Sequence, residues 1–227
     1  QELLALMTLG GAPEALAIGY LRNQRLVESI DDIVSVHGDW DVNAAAVTTR
    51  GGLRDLEART ARRTKTTGCG QGTVFGDLMA EIDDIRLPGS ATLSRTALYA
   101  LLECVRQHDT LYKQAGAIHG CALATNRGDA SEILMFVEDV GRHNAIDTIA
   151  GWMWMHGIDG RDKIFYTTGR LSSGMVTKAA PNGTPIVGLG ERVPAGGPPL
   201  PSPPGTPLVG PPPNHTSPRH TRFRRSA

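Results

Sequence analysis

ILMFVEDVGRHNAIDTIAGWMWM, residues 133–155, is where the fold is decided. An apolar run through Val137 ends in two acids, Glu138 and Asp139, and is followed by Gly141 and Arg142. The run reads as a strand and the stretch 142–155 as a helix. A strand that turns on glycine into a helix is the repeating unit of an α/β sheet. The unit recurs downstream: KIFYTT (163–168) reads as a strand, 172–181 as a helix, and TPIV (184–187) as the next strand. Upstream, AIHGCALAT (117–125) is strand-like, and 92–114 is an amphipathic helix whose stripe holds Leu93, Ala97, Leu98, Leu101, Leu102 and Val105, followed by Leu111. Cys104 falls in that pattern and is expected to be buried and inert. Further back, PEALAIGYLRN (13–23) reads as a helix opened by Pro13, with strands near 31–37 and 43–49. A first short strand is expected over ELLALMT (2–8). The whole predicts an α/β fold with a parallel or mixed sheet.

The 227 residues suffice for one domain or two small ones with a real core. Net charge is zero, yet residues 191–227 hold five arginines against one acid, leaving 1–190 net acidic. Neither part carries the charge of a nucleic-acid binder. No apolar run reaches the ~20 residues of a membrane span. Three cysteines, Cys69, Cys104 and Cys121, cannot all pair, which favours a reduced, cytoplasmic setting. The start QELLALMTLGG lacks both an initiator Met and a signal peptide, so the chain is expected to be a fragment at that end. Eleven of the fifteen prolines fall in 194–227, where no core-forming period survives. Disorder is expected there, because too little apolar surface is available to offset ordering entropy.

In open α/β sheets, ligands bind beyond the carboxyl ends of strands. At EDVGRHNAID (138–147), Gly141 admits a ligand close to the backbone and the helix start offers N–H groups to an anion. Arg142 adds a planar fork, and His143 and Asn144 add shorter donors. Alternatively, Asp139 caps the helix and His143 only completes a turn. TTGRLSSGMVTKAA (167–180) repeats the arrangement with Gly169, Arg170 and Ser172, and Lys178 lies further along the helix that Ser172 opens. The two turns side by side on one sheet edge would form a phosphate pocket.

TTGCGQGT (66–73) follows Arg59, Arg62, Arg63 and Lys65. Residues 58–76 show no period and read as a mobile loop. Gly68, Gly70 and Gly72 give Cys69 freedom of movement, and the cations favour its thiolate. A structural cysteine fits less well, since nothing apolar surrounds it. In AIHGCAL, His119 and Cys121 suggest a metal site or a deaminase, but the HxE and PCxxC of zinc deaminases are absent. Cys121 is expected to pack in its strand and His119 to face a ligand or steady the loop. Trp152–Met155 are expected to form a packing or dimer surface.

EALAIGYL (14–21), TGCG (67–70), AGAIHGCAL (115–123), VEDVGRHNAID (137–147), TTGRLSSGMVTKAA (167–180) and GTPIV (183–187) occur in the order seen in one family. Over about residues 1–188 the chain resembles the formate dehydrogenase accessory sulfurtransferases (FdhD). The resemblance implies a cytoplasmic, dimeric protein with a cytidine-deaminase-like fold, its mixed sheet flanked by helices. It implies that Cys69 takes sulfur from a cysteine desulfurase as a persulfide and passes it to a substrate, the bis-guanine-dinucleotide molybdenum cofactor, for formate dehydrogenase. Gly141, Arg142, His143, Asn144, Gly169, Arg170, Ser172 and Lys178 are then the candidate cofactor-binding residues. No metal and no permanently held cofactor are expected. A non-catalytic cofactor-binding chaperone is the alternative.

The parts implied are an N-terminal segment (1–57), the cysteine loop (58–76), a deaminase-like core (77–188) and a Pro/Arg-rich tail (189–227). Many relatives carry CxxC where this chain has CGQG, so Cys69 acts alone. Gly174 stands where the family usually has Glu. The family's serine-rich segment after the last strand is replaced by GLGERVPAGGPPLPSPPG (188–205). That break reads as a GC-rich gene translated out of frame, which implies loss of part of the core and impaired activity.

Overall fold

The computed structural model describes residues 3, 5–53, 92–108, 118–169, 173–184, 186–189 and 208–209. Helix α1 spans Pro13–Asn23. Strands β1 (Ile33–Asp39) and β2 (Ala44–Thr49) form an antiparallel hairpin. Helix α2 covers Arg95–Gln107 and helix α3 Arg142–Met155. The main sheet holds β3 (His119–Thr125), β4 (Ile133–Asp139), β5 (Lys163–Thr167), β6 (Ile186–Leu189) and β7 (Leu208–Val209). Helix α4 (Ser173–Ala179) precedes β6. The sheet order is β4-β3-β5-β6-β7, antiparallel across β3 and parallel from β5 onward. The fold is therefore mixed α/β, as expected.

Helices cover this sheet on both sides, and strand alternation sorts the core accordingly. Cys121, Leu123 and Phe165 pack with Ile146, Ile149 and Met153 of α3 and Met175 of α4. The intervening Ala122, Ala124, Ile164 and Tyr166 pack with Leu101 and Val105 of α2. Burial on both faces explains why β3 and β5 read as continuous apolar runs. Helix α2 begins where the Ser94 hydroxyl accepts from Ala97 N–H at 3.0 Å, an N-cap.

Helix α3 is buried along most of its length because α1 lies against its other side. The crossing is made by two glycines. A Cβ on Gly19 would lie 1.7 Å from the Asp147 carbonyl oxygen, and one on Gly151 would lie 1.9 Å from that of Ala15. Beside the crossing, Asp147 accepts from Asn23 Nδ2 at 2.7 Å and from Lys178 Nζ at 2.6 Å, tying α1, α3 and α4 together. Arg22 donates to the Ala150 and Pro181 carbonyls and stacks over Trp154, 4.7 Å from the ring centroid. The hairpin seats on the start of α1, with Gly38 N–H donating to Glu14 Oε1 at 3.0 Å.

Several expectations are corrected. The described residues among 2–8 form no strand; Met7 is exposed, and the backbone finds side-chain partners instead of a neighbouring strand. The helix expected over 92–114 stops at Gln107, where His108 turns extended and stacks on Phe136 with centroids 4.9 Å apart. Cys104 is half-buried rather than buried. Trp152 and Trp154 are half-buried, Met153 is buried and Met155 exposed. Within the tail, Leu208 and Val209 pair with Val187 and Gly188 as a short parallel strand, contrary to disorder at those two positions. No described helix is long and apolar enough to cross a membrane.

Candidate functional site

Because β4 and β5 both run antiparallel to β3, their carboxyl ends emerge at the same end of the sheet, one on each side of His119. The two glycine turns are thus not on adjacent strands, as the side-by-side expectation had it; the start of β3 separates them. Sheet register pairs His119 with Asp139 and Cys121 with Thr167. Thr168 closes the gap to β3: its N–H donates to the Gly120 carbonyl at 2.8 Å, and its hydroxyl accepts from Gly120 N–H at 2.9 Å.

Gly169 is where the pieces meet. A Cβ there would stand 3.0 Å from His119 Nδ1 and 3.5 Å from both Cβ and Cδ of Arg142. Only a residue without a side chain lets the β5 turn approach these two groups. Gly169 N–H itself donates to the Thr167 hydroxyl at 3.1 Å. Arg142 opens helix α3 after Gly141, which caps it without any side-chain hydrogen bond. Uncapped N–H groups at a helix start carry partial positive charge and suit an anion. The Arg142 Nε is buried and has no hydrogen-bond partner among the described residues. A guanidinium, an imidazole and an uncapped helix start thus converge at one end of the sheet, a donor set fitted to phosphate oxygens.

The other expected residues divide. His143 is half-buried on the first turn of α3. Asn144 does not reach outward: its amide donates to the Met7 carbonyl at 2.7 Å and to Asp139 Oδ1 at 3.0 Å. Lys178 points into the interior, paired with Asp147, the two side chains only 4% and 2% exposed. Its place in the pocket is corrected accordingly, since a buried charge already matched by a carboxylate is not available to a ligand. Cys69, Arg170 and Ser172 lie outside the described residues.

Cys121 is fully buried and donates to Thr167 Oγ1 at 3.3 Å. Burial pushes its thiol up to about 12, with Asp139 adding to the rise and the Thr167 hydrogen bond and Arg142 opposing it. A thiol so placed is neither a nucleophile nor a metal ligand at neutral pH. Asp139 does not cap α3. It joins the site to residues 8 and 9, and no sequence signal announced Thr8 as its partner.

The chain matches the model of the FdhD/NarQ family over residues 1–188. It is similar to sulfur carrier protein FdhD of Wolinella succinogenes, 28% identical over 186 residues, covering 82% of this chain and 63% of that protein. Similarity to sulfur carrier protein FdhD of Listeria monocytogenes is 28% over 189 residues, covering 82% and 71%. The chain therefore spans about two thirds of the length of these relatives. A crystal structure assigned as a formate dehydrogenase accessory protein from Desulfotalea psychrophila shares the fold, with a TM-score of 0.57 at 22% identity, covering 80% of this chain and 66% of that one.

Proposed function

The chain belongs to the FdhD/NarQ family, and from that premise we propose that it is a sulfur carrier in the maturation of formate dehydrogenase. Relatives with the same name for that role support the first part, and the structural neighbour's assignment supports the second. The observation that carries the reading is the meeting of Arg142, His119 and Gly169 at the carboxyl ends of β4 and β5.

In this reading Cys69 is the carrier. Its thiolate attacks the terminal sulfur of a cysteine desulfurase persulfide, the donor thiolate leaves, and the sulfur rides on Cys69. The acceptor is the molybdenum cofactor in its bis-guanine-dinucleotide form, bound as substrate. Arg142, with Gly141, Gly169, Arg170 and Ser172, receives its phosphates, and the absence of a side chain at Gly169 leaves room for the approach. His119 is placed to hydrogen-bond the same ligand. Arg59, Arg62, Arg63 and Lys65 favour the thiolate and attract the polyanion. A cytoplasmic homodimer with a cytidine-deaminase-like core belongs to the same reading, as does the derivation of residues 188–227 from a shifted frame. Resequencing the gene tests the last point; an alternative frame that encodes no serine-rich continuation removes it.

Mass spectrometry after incubation with a cysteine desulfurase and cysteine tests the carrier. One sulfur atom, about 32 Da, is expected on the 66–73 peptide and on no peptide of Cys69→Ala. A modified Cys104 or Cys121 with an unmodified Cys69 would end the proposal. Activation of formate dehydrogenase that survives Cys69→Ala would favour a cofactor-binding chaperone instead.

A further inference from the structure

One carboxylate links the N-terminal segment to the turn that follows β4. Asp139 is 2% exposed and its two oxygens serve two different segments. Oδ1 accepts from Gly141 N–H at 2.8 Å and from Asn144 Nδ2 at 3.0 Å, both in the turn that presents Arg142. Oδ2 accepts from the Thr8 hydroxyl and from Leu9 N–H at 3.3 Å. Asn144 makes the link double, because its amide also donates to the Met7 carbonyl at 2.7 Å. Thr8 completes it by accepting from Gly10 N–H at 3.0 Å. Gly141 is shaped to this arrangement: a Cβ there would stand 3.0 Å from Asn144 Nδ2.

A buried carboxylate three residues before an arginine is a natural ion-pair partner for it. Here four neutral donors occupy its oxygens, and no Arg142–Asp139 ion pair occurs among the described residues. Both charges nevertheless act on the Cys121 thiol, in opposite directions, so they share one neighbourhood. The arrangement keeps the guanidinium available to an incoming anion and offsets the desolvation of Asp139 by hydrogen bonds rather than by that cation.

We propose that Asp139 is a positioning residue and Thr8 its lock: residues 7–9 hold the Gly141–Arg142 turn so that Arg142 faces the ligand instead of Asp139. The affinity of the site for a phosphate-bearing ligand is thereby set in part by a hydroxyl 131 positions away in sequence from the carboxylate it serves. The inference rests on the reading of the Arg142 turn as the anion site.

The test uses the full chain, with guanosine diphosphate as probe for the dinucleotide. Thr8→Ala removes one donor from Oδ2 and leaves every group of the anion site in place. Roughly tenfold faster amide exchange at Gly141 and roughly fivefold weaker binding of the probe are expected, and Thr8→Ser is expected to restore both. Gly141 bonds the other carboxylate oxygen, so a purely local effect at Thr8 would leave its exchange unchanged. Unchanged exchange at Gly141, or faster exchange with unaltered affinity, overturns the proposal. Arg142→Ala is the separate control on the site itself. If it binds the probe as tightly as the unaltered chain, the anion-site reading fails and the positioning role falls with it, whatever the exchange rates show.

Discussion

Two buried side chains illustrate how environment decides chemistry at the scale of single residues. Cys121 lies within the sheet, and its thiol rises from the ordinary 9.0 to about 12 chiefly by desolvation. The unfolded thiol gives up its proton near pH 9 while the folded one holds it, so folding stability contributed here is complete below pH 9 and is lost between about 9 and 12. Chemical denaturation from pH 8 to 11 should show an alkaline decline that is shallower in Cys121→Ala. Alkylation of the native protein at pH 8 should leave Cys121 untouched. Lys178 presents the opposite case. A lysine after the Gly-Arg-Leu-Ser stretch (169–172) reads as a ligand-binding cation, yet its ammonium lies 2.6 Å from Asp147 in the interior. Lys178→Met strands that carboxylate and should lower the unfolding free energy by about 3 kcal/mol in urea titration. Binding of guanosine diphosphate per folded molecule should be unaffected.

Among elements, the α1–α3 contact sets the geometry on which the site depends. Gly19 and Gly151 bring the helix backbones so close that either Cβ would fall within 2 Å of a carbonyl oxygen. Alanine favours an isolated helix by about 1 kcal/mol over glycine, but here the crossing must open to admit it. Gly19→Ala and Gly151→Ala should each destabilise by roughly 3 kcal/mol, read as a lowered midpoint in urea. A neutral or stabilising result would mean that the helices do not cross at these positions. The bounds of α1 and α3 were legible in sequence, because Pro13 marks one start and the glycine at 141 the other. The expected strand at 2–8 was misread for a physical reason. An apolar run carries no record of whether a partner strand exists, and here Asp139 and Asn144 supply the hydrogen bonds that a strand would have.

For the whole molecule, the N-terminal hairpin and α1 are joined to the sheet by the glycine crossing, the Asn23–Asp147–Lys178 group, and the Thr8–Asp139 contact. Such ties predict one cooperative unfolding transition, with α1 and α3 losing amide protection at the same denaturant concentration. Earlier exchange of α1 alone would show that the N-terminal part is only loosely attached. The family match ends at residue 188, where the composition turns to proline and arginine. Beyond that point the described contribution to the sheet is Leu189, the last residue of β6, paired with Thr167, and the two-residue pairing of Leu208 and Val209 with β6.

By itself the sequence determined the fold class, the order of the described strands and helices from α1 to β6, and the glycine turns that frame the candidate site. Those follow from period, turn chemistry and caps, which neighbouring residues set among themselves. Tertiary structure alone decided that β3 stands between the two turns, that Gly169 meets His119 and Arg142, that Lys178 belongs to the core, and that Thr8 serves Asp139. Each of these depends on a partner far along the chain. The physical reason is that a hydrogen bond or close approach is specified by both members, and local sequence records only one.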